Sequence, residues 1–375
     1  MSNKLAIIGA SYLQLPLVLK AKELGIETLC FAWEEGAVAK PICDKFFPIS
    51  IRDMKAIGDI CEYEQISGVV SIASDVAVKT VSYISNRLGL LGNTERSADQ
   101  CTNKFLMRQT LSTCGIKCPQ FASGTIPDRL VENTRHFRYP LIVKPVDRSG
   151  SLGVRKIASP DELEAAITKA SQLSLSGSVI IEEFIKGTEV SVETISWNGM
   201  HHHLCITDKE TSGPPHFVEL AHHQPTILPE ALCNALKHET SKALTALQVA
   251  NGASHAEFIV ADDQVFMIEM GARMGGDFIG SDLVNLSTGY DFLSGVISVA
   301  LGNFQAPSIL NKYCSGVLFY SSATPKVRDL IHQVRLEPQF IRAEITGDKT
   351  KTLQSSSDRS GYIIYQSDRR YNLNL

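Results

Sequence analysis

Leu141-Ile-Val-Lys-Pro145 opens the stretch of chain that decides its fold, and Ile268-Glu-Met-Gly-Ala-Arg273 closes it. The opening is an apolar run that places one cation, Lys144, at the end of a strand. Asp147-Arg-Ser-Gly-Ser-Leu-Gly-Val154 follows, a loop rich in Gly and Ser. Glycine lets backbone N–H groups approach and wrap an anion. Ser149, Gly150, Ser151 and Gly153 are therefore candidate phosphate contacts, with Lys144 as the point charge beside them. This is not a Walker P-loop, which needs Gly-Lys-Ser/Thr opening a helix. Taken singly, the loop is a plain turn and Lys144 a solvated strand end; their adjacency carries the reading. Ile180-Ile-Glu-Glu-Phe-Ile185 comes next, then Gly187 and Glu189-Val-Ser-Val-Glu193. Val190 and Val192 alternate with Glu189 as in a half-buried strand.

Residues 254–260 and 265–270 form two strands around Ala261-Asp-Asp-Gln264. With the turn centred on Asp263, Glu257 lies opposite Glu269, and Phe258, Val260, Phe266, Ile268 and Met270 share the other face. Opposed side chains sit roughly 4.5–5.5 Å apart at Cβ, where like charges destabilise. A hard cation removes the conflict, because Mg²⁺ takes carboxylate oxygens and substrate phosphates together. The alternative is a hairpin with two solvated acids. Beyond it, Arg273 offers a planar fork for a carboxylate. In the turn Met274-Gly-Gly-Asp277, Gly275 and Gly276 could aim N–H groups at an anion.

With Asn103-Lys-Phe-Leu-Met-Arg108 added in front, these motifs and their order resemble the ATP-grasp superfamily, and within it carboxylate–amine ligases of the L-amino-acid ligase type. The resemblance covers roughly residues 95–365. It implies a mixed α/β and α+β architecture: a Rossmann-like pre-ATP-grasp domain over residues 1–100, then an ATP-grasp fold. The first ATP-grasp subdomain spans 101–187 and includes a small mobile lid. The second spans 188–375 with a closing region. The resemblance also implies roles. Lys104 reaches phosphates, the alternative being a solvated basic face shared with Arg108 one turn on. Main-chain groups of Glu183 and Ile185, with Phe184 between and Glu182 nearby, read adenine. Glu189 accepts from the ribose, and Glu257 and Glu269 hold Mg²⁺, or Mn²⁺ in its place. Glu219, His222 and His223 border the acceptor pocket. Many members carry Asn two residues after the second metal-binding Glu; here that position is Gly271, so one ligand is missing.

The activity this implies is ATP-dependent ligation of a carboxylate to an amine, both small and amino-acid-like, with Lys144 and Arg273 acting on the reacting groups. A carboxylase working through carboxyphosphate is one alternative. However, Gly-Ala-Arg-Met-Gly-Gly-Asp stands where biotin carboxylases have Asn-Pro-Arg and a Glu-His pair. A catalytically silent nucleotide-binding module is another.

The 375 residues are 44% hydrophobic and 20% charged, with net charge −4, a composition that suits two or three globular domains. Nucleic acid is not an expected partner, since no basic stripe is present. A membrane is not expected either, since no run of about 18 apolar residues occurs. The nine cysteines lack a Cys-x-x-Cys pair and read as free thiols of a reducing cytoplasm. A homodimer is compatible with the composition. Early in the chain, residues 5–9 form a buried strand, 13–24 a helix stopped by Gly25, and 26–31 a second strand. Gly9-Ala-Ser-Tyr lacks the later glycines of a dinucleotide fingerprint. Asp75 follows a strand over residues 68–72 and opens a helix to residue 88, where it either holds a substrate group or caps the helix. Residues 102–114 form one helix, and 161–170 another. Pro229 starts a long amphipathic helix. His201-His-His203 cannot all face one ion from a strand, and they read as structural or exposed.

Overall fold

The computed structural model describes residues 3–150, 152–214, 216–310, 313–333, 339–347 and 351–371. Four parallel strands, β1 (Lys4–Ile8), β2 (Glu27–Phe31), β3 (Lys45–Phe47) and β4 (Gly68–Val70), pair in the order β3-β2-β1-β4. In β1, Leu5 and Ile7 enter one core cluster while Ala6 and Ile8 enter another. Both faces of the sheet are covered, which is why its strands read as continuous apolar runs. The first cluster also takes Val296 and Ile297 of helix Phe292–Ala300, and Ile195, Leu204 and Ala253 of the large sheet. One core therefore joins the N-terminal sheet to the rest of the chain.

A small antiparallel sheet follows: β5 (Phe121–Gly124), β6 (Leu141–Pro145), β7 (Arg155–Ile157) and β8 (Val179–Glu183), in the order β5-β8-β6-β7. Its inner face, with Leu141, Val143 and Ile181, packs on Leu163, Ala166 and Ile167 of helix Leu163–Leu173. The body is an eight-stranded sheet. Its strands are β9 (Thr188–Trp197), β10 (Met200–Thr211), β11 (Glu219–Gln224), β12 (Gly252–Ala261), β13 (Gln264–Gly271), β14 (Cys314–Tyr320), β15 (Phe340–Ile345) and β16 (Gly361–Ser367). They pair antiparallel in the order β13-β12-β9-β10-β11-β14-β16-β15. Val190, Val192, Ala256, Phe258 and Val260 form one face of its first strands and pack on Leu236, Ala243 and Leu244 of helix Glu230–Ala246. Each such large side chain contributes about 1.5–3 kcal/mol by burial. The alternate residues, Glu189, Ser191, Glu193, His255, Glu257 and Ile259, fall on the opposite face by the period of two.

The structure corrects several expectations. Asp262 and Asp263 both take positive φ, 49° and 57°, making a two-residue turn with Ala261 opposite Gln264. That shortens the loop by one residue. A bulge between Glu257 and Phe258 absorbs the difference and restores Glu257 opposite Glu269. Met267, not Phe266 or Ile268, therefore joins Phe258, Val260 and Met270 in the core. The helix expected over 102–114 is broken at Asn103. The Asn103 side chain accepts from the amides of Phe105 and Leu106, so Glu95–Thr102 and Lys104–Thr113 are separate helices. Among the described residues, no helix is long and apolar enough to cross a membrane.

Candidate functional site

The three sheets converge on a cavity of about 770 Å³. Its walls come from the β6–β7 loop, the β8–β9 connection, the polar face of β9 to β13, and the residues after β1 and β4 at the carboxyl edge of the parallel sheet.

A row of alternating charge crosses the polar face. Glu193 lies 2.6 Å from His255 Nδ1, and His255 Nε2 lies 3.1 Å from Glu257. Glu257 is 2.7 Å from Lys209 Nζ, which is 2.8 Å from Glu189 and 3.9 Å from Glu219. Burial works against charge on His255, but Glu193 and Glu257 outweigh it and raise its pKa to about 9. Burial likewise disfavours the Glu257 carboxylate, yet Lys209 and His255 hold it well below its usual range. Lys209 is raised well above its usual value, since three carboxylates overcome its desolvation. The opposed Glu257 and Glu269 thus meet protein cations: Lys209 on the first and Lys104, at 2.8 Å, on the second. The Lys104 ammonium also donates to the Arg148 carbonyl at 2.8 Å.

Behind the phosphate-type loop, Glu182 is buried between Arg108, 2.6 Å from one oxygen, and Lys144, 2.7 Å from the other. Burial alone would raise the Glu182 pKa; the two cations lower it to about 2. Lys144 is depressed by burial and by Arg108 and Lys104, with Glu182 opposing. Arg108 also donates to the Ile268 carbonyl. It is therefore no solvated face: it ties the helix Lys104–Thr113 to β8 and β13. The Glu182 carboxylate is committed to these two cations rather than left for adenine.

Arg273 makes a two-point contact with Asp75, Nε to Oδ1 at 2.8 Å and Nη2 to Oδ2 at 3.1 Å. Asp75 does not cap its helix; Ser74 occupies that position. Four residues on, Asp277 receives both terminal nitrogens of Arg359 at 2.8 and 2.7 Å. The two arginine–aspartate forks brace the 273–277 turn against the N-terminal sheet on one side and the closing strands on the other. His222 lies 3.7 Å from Asp277. Burial acts against charge on Asp277, but its side-chain contacts with His222 and Arg359 and the Arg359 charge outweigh it, holding it far below the usual carboxylate range.

The cavity lining brings together Asp75, Lys104, Lys144, Ser149, Gly150, Glu182, Glu183, Phe184, Ile185, Glu189, Glu219, His222, Glu257, Glu269, Arg273 and Gly276. Three expected contacts are not on it. His223 neighbours His222 on a strand and so faces the other way, to the Tyr365 hydroxyl at 2.7 Å and Glu210 at 3.1 Å. Gly153, at φ +80°, packs against Pro145 and Leu173 and serves the turn itself. Gly275 leaves room for His255 and Glu193, whose atoms would lie 2.8 and 3.0 Å from an added Cβ. Ser151 lies outside the described residues. Lys209, His255, Arg148 and Arg359 line the cavity without having been singled out as sites, and Asp277, a candidate for the ligand position left by Gly271, lines it too. The one available signal was Lys209 itself, a lone cation inside the strand pattern Cys-Ile-Thr-Asp-Lys. His201 and His203 reach Thr245 and Ser241 of the neighbouring helix at 3.3 and 2.8 Å, a structural role.

The donor set suits Mg²⁺ in one specific way. Among the described residues, no group of three or more His, Cys, Asp or Glu could hold a metal ion. Two opposed carboxylates remain, and Mg²⁺ is commonly held by one or two carboxylates plus substrate phosphates. At Gly271 an added Cβ would lie 3.1 to 3.3 Å from the Arg273 guanidinium. An Asn there would press on Arg273, so this chain's position 271 serves the arginine.

A helix-backed antiparallel sheet thus faces a larger sheet, with lysines and glutamates paired between them. Residues 137–282 match the ATP-grasp domain. The chain is 24% identical to the L-amino acid ligase of Bacillus licheniformis, with a TM-score of 0.82 over 98% of this chain and 94% of that one. The ADP complex of N5-carboxyaminoimidazole synthetase from Staphylococcus aureus gives a TM-score of 0.81 at 14% identity, covering 98% and 95%. In sequence, the uncharacterised protein y4rH of Sinorhizobium fredii is 27% identical over 241 residues, 63% of this chain and 49% of that protein. The chain spans about half the length, or less, of the curated relatives it matches.

Proposed function

We propose that the chain binds ATP with Mg²⁺ and uses it to join a small carboxylate to an amine. The observation that carries this is the pairing of Lys104 with Glu269, and of Lys144 and Arg108 with Glu182, around one wall of a single cavity. Such cations, already oriented by carboxylates, suit a reaction that needs mainly positioning and charge neutralisation. Lys104, Lys144 and the amides near Ser149 and Gly150 would cradle the phosphates. Glu183, Phe184 and Ile185 would meet adenine, and Glu189 the ribose. Glu257 and Glu269 would hold Mg²⁺, which supplies charge neutralisation on the phosphates. The substrate carboxylate attacks the γ-phosphorus, the bond to ADP breaks, and an acyl phosphate forms. The amine then attacks the acyl carbon, phosphate leaves, and the amine proton is lost. Arg273, held by Asp75, would offer its remaining N–H groups to the substrate carboxylate. The L-amino acid ligase likeness supports amino-acid-type substrates.

Nucleotide chromatography during a screen of pooled amino acids, small carboxylates and amines tests the reading. ADP and phosphate, both dependent on Mg²⁺, are expected. AMP and pyrophosphate as products would overturn it.

A further inference from the structure

Lys209 occupies a junction that the proposed chemistry does not by itself require. Its side chain is 4% exposed, and its ammonium lies 2.8 Å from Glu189, 2.7 Å from Glu257 and 3.9 Å from Glu219. The acids come from β9, β12 and β11, which flank β10 on both sides in the sheet order. Lys209 pairs with His222 across β11, and the rung beside it pairs Asp208 with Val190 of β9, one residue from Glu189. A lysine ammonium has three donors and no acceptor; Glu189 and Glu257 lie within hydrogen-bond distance of it, while Glu219 acts on it through charge alone. Among the described ion pairs, Lys209 is the only cation on Glu189, and Glu257 meets Lys209 and His255 alone.

We propose that Lys209 is a positioning residue that couples the ribose end of the nucleotide site to its metal end. The inference rests on the reading above, in which Glu189 meets the ribose and Glu257 the metal. One ammonium serves both carboxylates. When a cation takes up charge on Glu257, its hold on Lys209 weakens and Lys209 settles more fully on Glu189. The ribose acceptor is then fixed, and a missing 2′-hydroxyl is felt more strongly. In this arrangement the sheet, rather than the nucleotide alone, carries information between two ends of the cavity. A Lys209 that served only to hold the strands together would affect ATP and its 2′-deoxy analogue alike.

The test measures binding of ATP and 2′-deoxy-ATP by calorimetry, with Mg²⁺ and with the metal removed by EDTA, for the parent chain and Lys209→Met. No turnover is needed. In the parent, the preference for ATP over 2′-deoxy-ATP should rise at least about 5-fold when Mg²⁺ is present, the lower end of ordinary coupling between sites. In K209M that rise should fall below about 2-fold, whatever happens to overall affinity. Retention of the parent's Mg²⁺-dependent rise in K209M would overturn the proposal, as would its absence from a parent that binds ATP. A parent that binds no ATP with Mg²⁺ would instead overturn the nucleotide reading, and the coupling with it. If K209M does not fold, Lys209→Met combined with Glu219→Gln, compared with Glu219→Gln alone, gives the same readout with one fewer unpaired carboxylate.

Discussion

Replacing Glu182 by Gln should destabilise the protein by about 3 kcal/mol, and two routes lead to that figure. Glu182 is 3% exposed, and its oxygens face Arg108 and Lys144 at 2.6 and 2.7 Å. Removing one partner of a buried ion pair leaves uncompensated charge and typically costs about 3–5 kcal/mol. Independently, the pKa of Glu182 is lowered from 4.5 to about 2. At about 1.36 kcal/mol per unit, that difference amounts to about 3 kcal/mol. Lys144 points the other way, since burial and its neighbouring cations hold it below its usual pKa. Part of the gain at Glu182 is therefore offset, and the lower end of the range is expected. Because the folded pKa is depressed, the stabilisation is present above the unfolded value of 4.5 and is lost as pH falls toward about 2. The assay is thermal melting at pH 7 and pH 4 for the parent and E182Q. At pH 7 the melting point should fall by about 6 °C or more, at roughly 2 °C per kcal/mol for a chain of this size. The gap should narrow at pH 4. A shift below about 2 °C at pH 7 would refute the claim that this triad is a net anchor of the small sheet.

Glu269→Gln removes the carboxylate paired with the buried Lys104, so it should lower the melting point, by less than E182Q because Glu269 is partly exposed. It should also lose turnover by at least ~100-fold, because a metal-held phosphate charge contributes several kcal/mol, and near-normal turnover would make the hairpin acids ordinary surface groups. Gly275→Ala would drive a Cβ to within 2.8 Å of His255 and 3.0 Å of Glu193. It should therefore lower the melting point and raise the ATP Kd together, and unchanged values in both would show that the charged row is slack. Arg273→Ala leaves the partly buried Asp75 without its fork, so it should lower stability, by less than the loss of a fully buried pair would, as well as turnover. ATP affinity should be nearly intact, and its loss with turnover surviving at saturating ATP would place Arg273 in the nucleotide site. His203 is held near pKa 4, first by burial and then by Lys237 and its neighbouring histidines. A depressed histidine favours unfolding once protons are available, so stability should fall as pH drops from about 6.5 toward 4, by at most about 3 kcal/mol. His203→Gln should flatten that slope in urea titrations at pH 7 and pH 5, and an equal slope would remove His203 from the account.

The chain's local periods determined a good deal. Alternation in Glu189-Val-Ser-Val-Glu193 gives β9 one apolar and one charged face, whatever strands later flank it. The spacing across Asp262-Asp263 set Glu257 opposite Glu269, and a bulge preserved that pairing even though the turn was one residue tighter than expected. The same rule allows only one of His222 and His223 to face the site; counted from Glu219 it selects His223, and the irregularity beside Glu219 is what turns His222 inward instead. What only the tertiary structure decided is who neutralises whom. Arg273 and Asp75 are 198 residues apart, and Arg359 and Asp277 are 82 apart. Lys209 meets acids from three strands because the order β12-β9-β10-β11 interleaves distant segments. A period of two tells which face a side chain takes, but not which strand lies beside it. Charge pairing inside a site depends on that second fact, because Coulomb attraction acts on distance in space and is indifferent to distance along the chain.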